Sequence, residues 1–130
     1  MQPNTHPQIR RDLCGEPVAL SEGTATVRLL TTAQMGTDDR GLVHGGFVFG
    51  AVDYAAMLAV NDPNVVLGAA ETRFLAPVKV GDEVIAVATR TSVAGRKHVV
   101  AVEAKVGETV VVSGTLTTFV LDRHVLDGRA

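Results

Sequence analysis

The segment Gly41–Asn61 constrains this chain more than any other. It reads Gly-Leu-Val-His-Gly-Gly-Phe-Val-Phe-Gly-Ala-Val-Asp-Tyr-Ala-Ala-Met-Leu-Ala-Val-Asn. From about Gly46 to Asn61 it has the length of several helical turns and is apolar all round, the pattern of a helix buried on every side. Asp53 is its one strongly ionisable group beyond His44. Burying a lone carboxylate costs several kcal/mol unless a partner offsets it or its pKa rises, so such a residue calls for a use.

The rest of the chain must supply what surrounds that helix. The 130 residues suit one domain, with a loose arm over about 1–14 and a polar tail over about 122–130. Hydrophobic residues make up 46% and aromatic residues only 4%, so the core must be built from Val, Ala and Leu. Glu22–Leu30 alternates, with Ala25, Val27 and Leu29 on one face, and reads as a half-buried strand after a short extended piece at Val18–Leu20. Asn61-Asp62-Pro63-Asn64 stops the helix. Four strands follow, at Val65–Phe74, Glu83–Val93, His98–Val106 and Thr109–Leu121. Gly68 marks a bulge or close approach in the first of them. Tight turns at Ala94–Lys97 and Gly107-Glu108 force antiparallel neighbours. One apolar helix and one sheet bury each other only if the sheet curls, so the expected fold is α+β, a curved antiparallel sheet wrapped on one central helix.

Composition excludes several functions. A net charge of −2 leaves no basic field for nucleic acid. The apolar run is interrupted by Asp53 and is too short for a membrane span. Met1–Arg11 is polar and reads as carrying no secretion signal. Cys14 is the only cysteine, so no intrachain disulfide forms, and a cytoplasmic location is expected. Cys14 itself reads as an incidental small residue. The histidines His6, His44, His98 and His124 show no metal-ligand spacing, and no metal site is expected. No phosphate-cradling or dinucleotide motif is present.

The chemistry concentrates on one helical stripe. Gly46, Gly50, Asp53 and Met57 recur at helical spacing. Glycine inside a helix costs about 1 kcal/mol relative to alanine, so the pair needs a reason, such as close approach of a ligand or another backbone. His44-Gly45-Gly46 opens the helix, where free N–H groups carry partial positive charge and suit an oxyanion or polarised carbonyl. An electrophile-activating turn and a carboxylate on one face fit hydrolysis or acyl transfer, with Asp53 as general base or nucleophile. A turn glycine pair and a structurally bonded Asp are the plainer reading of the same residues. His44 is read either as a direct participant or as a helix cap, and Met57 as packing or as a pocket wall.

Val43-His44-Gly45-Gly46, with Asp53 nine residues after the histidine, resembles the hotdog-fold thioesterases of the PaaI-like type. Glu71-Thr-Arg-Phe-Leu-Ala-Pro-Val-Lys-Val-Gly-Asp82 looks like the strand and turn that follow the helix in that family, and the likeness extends to the His124-Val-Leu-Asp127 tail. The resemblance implies a hotdog fold, pairing of two subunits into one continuous sheet, and tetramers as a common assembly. It implies an acyl-coenzyme A substrate at the dimer interface and no cofactor beyond the coenzyme A of that substrate. Asp53 of one chain would act near the His44-Gly45-Gly46 turn of the other, with the glycine amide polarising the thioester carbonyl and Gly45, Gly50 and Met57 against the substrate. Arg96 and Lys97, at a hairpin tip, would either meet coenzyme A phosphates or remain solvated turn charges. Several catalytic relatives carry an Asn a few residues before His-Gly-Gly; here Thr37-Asp38-Asp39-Arg40 has none, which leaves the water-positioning role unassigned. A binding or sensing hotdog domain, or a hydratase using His44 and Asp53, is the alternative implied.

Overall fold

The computed structural model describes residues 1–129. A short helix α1 (Arg11–Cys14) leads into strands β1 (Glu16–Ser21) and β2 (Thr24–Leu30). The long helix α2 (Gly45–Val60) follows, then β3 (Val65–Phe74), β4 (Glu83–Ala94), β5 (Lys97–Val106) and β6 (Thr109–Val120). The six strands form one antiparallel sheet in the order β1-β2-β4-β5-β6-β3, which curves around α2. This is the α+β hotdog arrangement.

Alternation explains which face each strand buries. Ala25, Val27 and Leu29 of β2, Val84, Ala86 and Ala88 of β4, and Val100, Val102 and Ala104 of β5 all turn inward. They meet Val48, Val52, Ala55, Ala56 and Leu58 of the helix, and small side chains on both sides let sheet and helix approach closely. The helix starts one residue earlier than its composition suggests and ends at Asn61, whose left-handed backbone (φ 56°) and N–H bond to the Met57 carbonyl at 2.8 Å close the last turn. Gly68 does mark a bulge: the β3–β6 register slips between Leu67 and Ala69, where any side chain would run into the Phe119 ring.

One stretch departs from the sequence reading. Glu22–Leu30 is not a single strand. The chain turns at Gly23 (φ 78°), and a complete strand, β1, pairs back along β2. β1 lies at the sheet edge and is mostly exposed, so no apolar alternation announces it. The arm read as loose carries the short helix α1 at its end, and the polar tail carries a 3-10 turn at Val125–Gly128 capped by His124.

Candidate functional site

The turn into α2 is held by the connections around it. The Thr31 hydroxyl donates to the Asp82 carbonyl at 2.8 Å and accepts from the Gly81 N–H at 3.0 Å, pinning the segment between β3 and β4. That segment presents the Val78 carbonyl to the Val43 N–H at 2.8 Å, and the His44 N–H donates to the Met35 carbonyl at 2.9 Å. His44 is thereby fixed in an extended conformation as the N-cap of α2.

The His44 ring accepts a hydrogen bond from the Gly46 N–H, with Nδ1 and N 2.8 Å apart. This bond requires an unprotonated Nδ1, which puts the proton of the neutral ring on Nε2. A Cβ at position 46 would stand 2.8 Å from that Nδ1, so the cap itself demands glycine here. Both amides were expected to stand open; the structure engages Gly46 on its own histidine and the Phe47 N–H on the His44 carbonyl at 3.1 Å. Gly45 is the first-turn amide that no hydrogen bond of the described residues uses, and the Phe74 ring lies against its Cα, 3.4 Å from where a Cβ would sit. Beside it opens an apolar cavity of about 390 Å³ whose walls include Val43, Val48, Phe74, Pro77 and Val112.

Asp53 lies further along the same helix. Its Oδ1 is buried and accepts no hydrogen bond from any described residue. Burial pushes its carboxyl up from the ordinary range to about 6, with no cation to offset it. Such a group is ionised at neutral pH yet close to the pH at which a base transfers protons efficiently. Gly50 is open on its side-chain side, with nothing within 4 Å of a Cβ placed there. Met57, the fourth member of the stripe, is sealed in the core at 1% exposure.

The other predicted contacts lie elsewhere. Arg96 pairs with Asp122, and the Arg96–Lys97 hairpin tip sits near the C-terminal end of α2, because Lys97 registers with Phe119 and Phe119 with Val66. In one chain it is remote from the helix start. A larger cavity of about 930 Å³ also lies at that end, between the N-terminal arm, Tyr54 and His124. Among the described residues no three His, Cys, Asp or Glu side chains gather as a metal site would need, and no helix is long and apolar enough to cross a membrane.

Two neighbours of the site escape sequence reasoning. Phe74 covers Gly45 from across the sheet edge, and its only signal is its place in the Glu71–Asp82 stretch. Cys14 packs onto the core at the end of α1; burial pushes its thiol up, and the charges of Asp53 and Asp12 add to this. Nothing in the local sequence ties Cys14 to Asp53.

The thioesterase superfamily profile matches residues 40–113, which run from just before the helix start to the middle of β6. The uncharacterized protein PH1136 from Pyrococcus horikoshii is similar in structure at a TM-score of 0.96 and 50% identity, over 98% of each chain. The PaaI protein of the Escherichia coli phenylacetic acid degradation operon is similar at 0.77 and 26% identity, over 84% of this chain and 80% of that one. Cj0977, a sigma28-regulated virulence protein from Campylobacter jejuni, is similar at 0.91 and 29% identity, over 94% and 95%. A curated relative, methylthioribose-1-phosphate isomerase of Aquifex aeolicus (strain VF5), is 51% identical over 123 residues; the chain spans 27% of its length. With a matching profile across more than half its length and the same sheet-and-helix architecture, the chain belongs to the hotdog-fold thioesterase superfamily.

Proposed function

We propose that this protein hydrolyses acyl-coenzyme A thioesters at a site shared by two chains, with Asp53 as general base or nucleophile. The observation that carries the reading is the Asp53 carboxyl: buried, lacking a donor, raised to about 6, and on the helix whose start offers the Gly45 amide. Within one chain the two are too far apart to share a reacting carbonyl. Asp53 is eight residues beyond Gly45, roughly 12 Å along the axis at 1.5 Å per residue. A two-fold partner removes the gap. Gly45 and Asp53 lie equally far from Phe49, next to Gly50, so antiparallel helices crossing beside that open glycine would set each carboxyl against the other chain's turn.

The sheet supports the same assembly. β3 is a terminal strand with an unpaired edge, and Leu67, Ala69, Ala70, Phe74 and Leu75 along it are exposed. Pairing β3 with a second β3 would satisfy those backbone groups and cover the apolar side chains. The assembly is then a homodimer, or a tetramer built from two. In the reaction the Gly45 amide and the positive helix end polarise the thioester carbonyl. Asp53 activates water or attacks directly, and coenzyme A leaves as product. No cofactor is needed, and the single free cysteine accords with a cytoplasmic location.

The test is a hydrolysis panel of short, medium, long and aromatic acyl-coenzyme A thioesters, with light scattering on the same sample. Hydrolysis should fall at least about 10²-fold in Asp53→Asn with the fold intact. Full activity in that variant, or a folded monomer at micromolar concentration, would overturn the reading. The bond from Gly46 to His44 favours a second reading, in which the site binds acyl-coenzyme A without turnover, because one of the two amides already has a partner. Binding of acyl-coenzyme A with no hydrolysis, unchanged in Asp53→Asn, would establish it.

A further inference from the structure

The cavity of about 930 Å³ at the C-terminal end of α2 shares no lining residue with the one beside Gly45. Its size suits a small molecule. The N-terminal arm forms one side of it, and the arm is anchored on both flanks. Asn61 accepts the Asn4 N–H at 2.7 Å and donates to the Gln2 carbonyl at 3.0 Å. Further on, the Ile9 N–H donates to the His6 carbonyl at 3.2 Å, and Ile9 packs on the core. Between these anchors Thr5 is buried and His6 has a left-handed backbone, φ 55°. A residue with a Cβ adopts that conformation at a cost, so the bonds around it hold it there. The His6 ring is thereby set toward Tyr54, with centroids 6.1 Å apart.

The polar groups of this cavity are donors left without partners. Tyr54 is 2% exposed and lines the cavity, yet its hydroxyl makes no hydrogen bond to a described residue. A buried hydroxyl is costly without a partner, and here the partner must come from the cavity. His6 shares a 2.7 Å hydrogen bond between Nδ1 and the Thr5 hydroxyl, and Nδ1 of His124 accepts the Leu126 N–H at 3.0 Å. Both rings line the cavity, and both keep Nε2 free. Arg11 lines it too, and the adjacent carboxylate, Asp12, is taken by Arg10 at 2.6 Å. Among the described residues no Asp or Glu lines this cavity, while Val65, Val66 and Val125 give it an apolar wall.

We infer that this cavity binds a small organic carboxylate with an apolar body, its charge held by Arg11, the two histidines and the Tyr54 hydroxyl, and its hydrocarbon against the valines. A donor set that includes a cation and no carboxylate selects an anion. The planar guanidinium matches a carboxylate better than a round ion. The valine wall selects against a bare, strongly hydrated anion, which would gain nothing from apolar contact. None of these residues belongs to the turn or the carboxyl that the proposed reaction uses.

Tyr54 is the one tyrosine and the chain has no tryptophan, so tyrosine fluorescence of the whole protein reports on this cavity. The probe is cyclohexanecarboxylate, which does not absorb where tyrosine is excited. It should change the emission saturably. Cyclohexanecarboxamide, of the same shape without the charge, should bind at least about tenfold more weakly. Inorganic phosphate, a charge without a body, should not compete at equal concentration. Arg11 is exposed, so Arg11→Gln should fold normally and weaken the carboxylate about tenfold. Tyr54→Phe, followed by calorimetry, should weaken it about threefold or more. Proton NMR locates the probe: the ring signals of His6 and His124 should move while those of His44 and His98 stay in place. No saturable change, equal binding of the carboxamide, competition by phosphate, full affinity in Arg11→Gln or in Tyr54→Phe, or movement of His44 in place of His6 and His124 would overturn the inference. Asp53→Asn should bind the probe as the unaltered protein does. Binding in a protein that hydrolyses no acyl-coenzyme A would sustain the carboxylate site and remove only the thioesterase reading; hydrolysis without binding would remove only the carboxylate site.

Discussion

The two ends of α2 are closed differently, by a side chain at the start and by the backbone at the finish, and they are used in opposite ways. At the C-terminal end Asn61 adopts the left-handed conformation, accepts the Asn4 N–H at 2.7 Å and donates from its amide to the Gln2 carbonyl at 3.0 Å. Both polar atoms of that side chain are tied to the N-terminal arm. At the N-terminal end His44 satisfies one amide and leaves the Gly45 amide beside an apolar cavity. One end spends its hydrogen bonds on holding the chain together; the other keeps a donor in reserve. The first-turn amides of a helix are unsatisfied by geometry, so a small change in capping decides whether that end is structural or chemical.

The sharpest way to break this contrast is Gly46→Val. Its Cβ would displace the His44 ring and obstruct the approach to the turn. Turnover of the best acyl-coenzyme A should fall about 10²- to 10³-fold, the size of effect expected when the carbonyl can no longer reach its oxyanion donor, the Gly45 amide. Steady-state kcat on protein verified as folded checks this; near-normal kcat would show that carbonyl activation happens elsewhere.

Asp53→Asn asks whether the reserved end comes with a stability cost further along the helix. A carboxyl raised from 3.8 to about 6 binds its proton more tightly when folded than when unfolded. The unfolded state therefore loses its proton first as pH rises, and the folded protein loses stability between about pH 4 and 6. Asp53→Asn escapes this loss. It should match wild type near pH 3.5 and be more stable at pH 8 by about 2 kcal/mol, after discounting for partial solvent access. Denaturant midpoints across that range decide the matter, and a variant less stable at pH 8 would make Asp53 a structural group.

Asn61→Ala tests the structural end. Alanine resists the left-handed conformation and lacks both bonds to the arm, so about 1–2 kcal/mol should be lost. Thermal melts should show the drop while turnover per folded molecule stays within about twofold. The smallest effect belongs to His44→Ala. Loss of an N-cap costs about 1 kcal/mol, but it frees the Gly46 amide. Its kcat should suffer less than that of Gly46→Val. A dead His44→Ala beside an active Gly46→Val would make the histidine an acid–base group of the hydratase kind.

Much of this was legible because it rests on short-range pattern. The apolar run located α2 to within a residue at each end, since a buried helix tolerates few charges along its length. Alternation in Val84–Ala88 and the turns at Gly95 and Gly107 located the hairpins, because period-two burial and glycine turns are local rules. Asp53 stood out for the same reason, as the one carboxyl in an apolar helix. Of β1 only the extended piece at Val18–Leu20 was legible, and its full length was not, because an edge strand needs no apolar face. The pairing of Arg96 with Asp122 was illegible because the residues are 26 positions apart and only the β5–β6 register joins them.

The sequence by itself determined which residues must be buried, and hence the helix, the curved sheet around it and the isolation of one carboxyl. Those follow from transfer of apolar surface out of water, which depends on residue type and spacing. The tertiary structure decided which hydrogen-bond donors were left over. That the Gly46 amide is taken and the Gly45 amide is not depends on the rotamer of His44 and on the clamp that Thr31 places on a loop fifty residues away. Hydrogen bonds and local polarity act over a few ångströms in directions set by the whole fold, and no spacing along the chain encodes them.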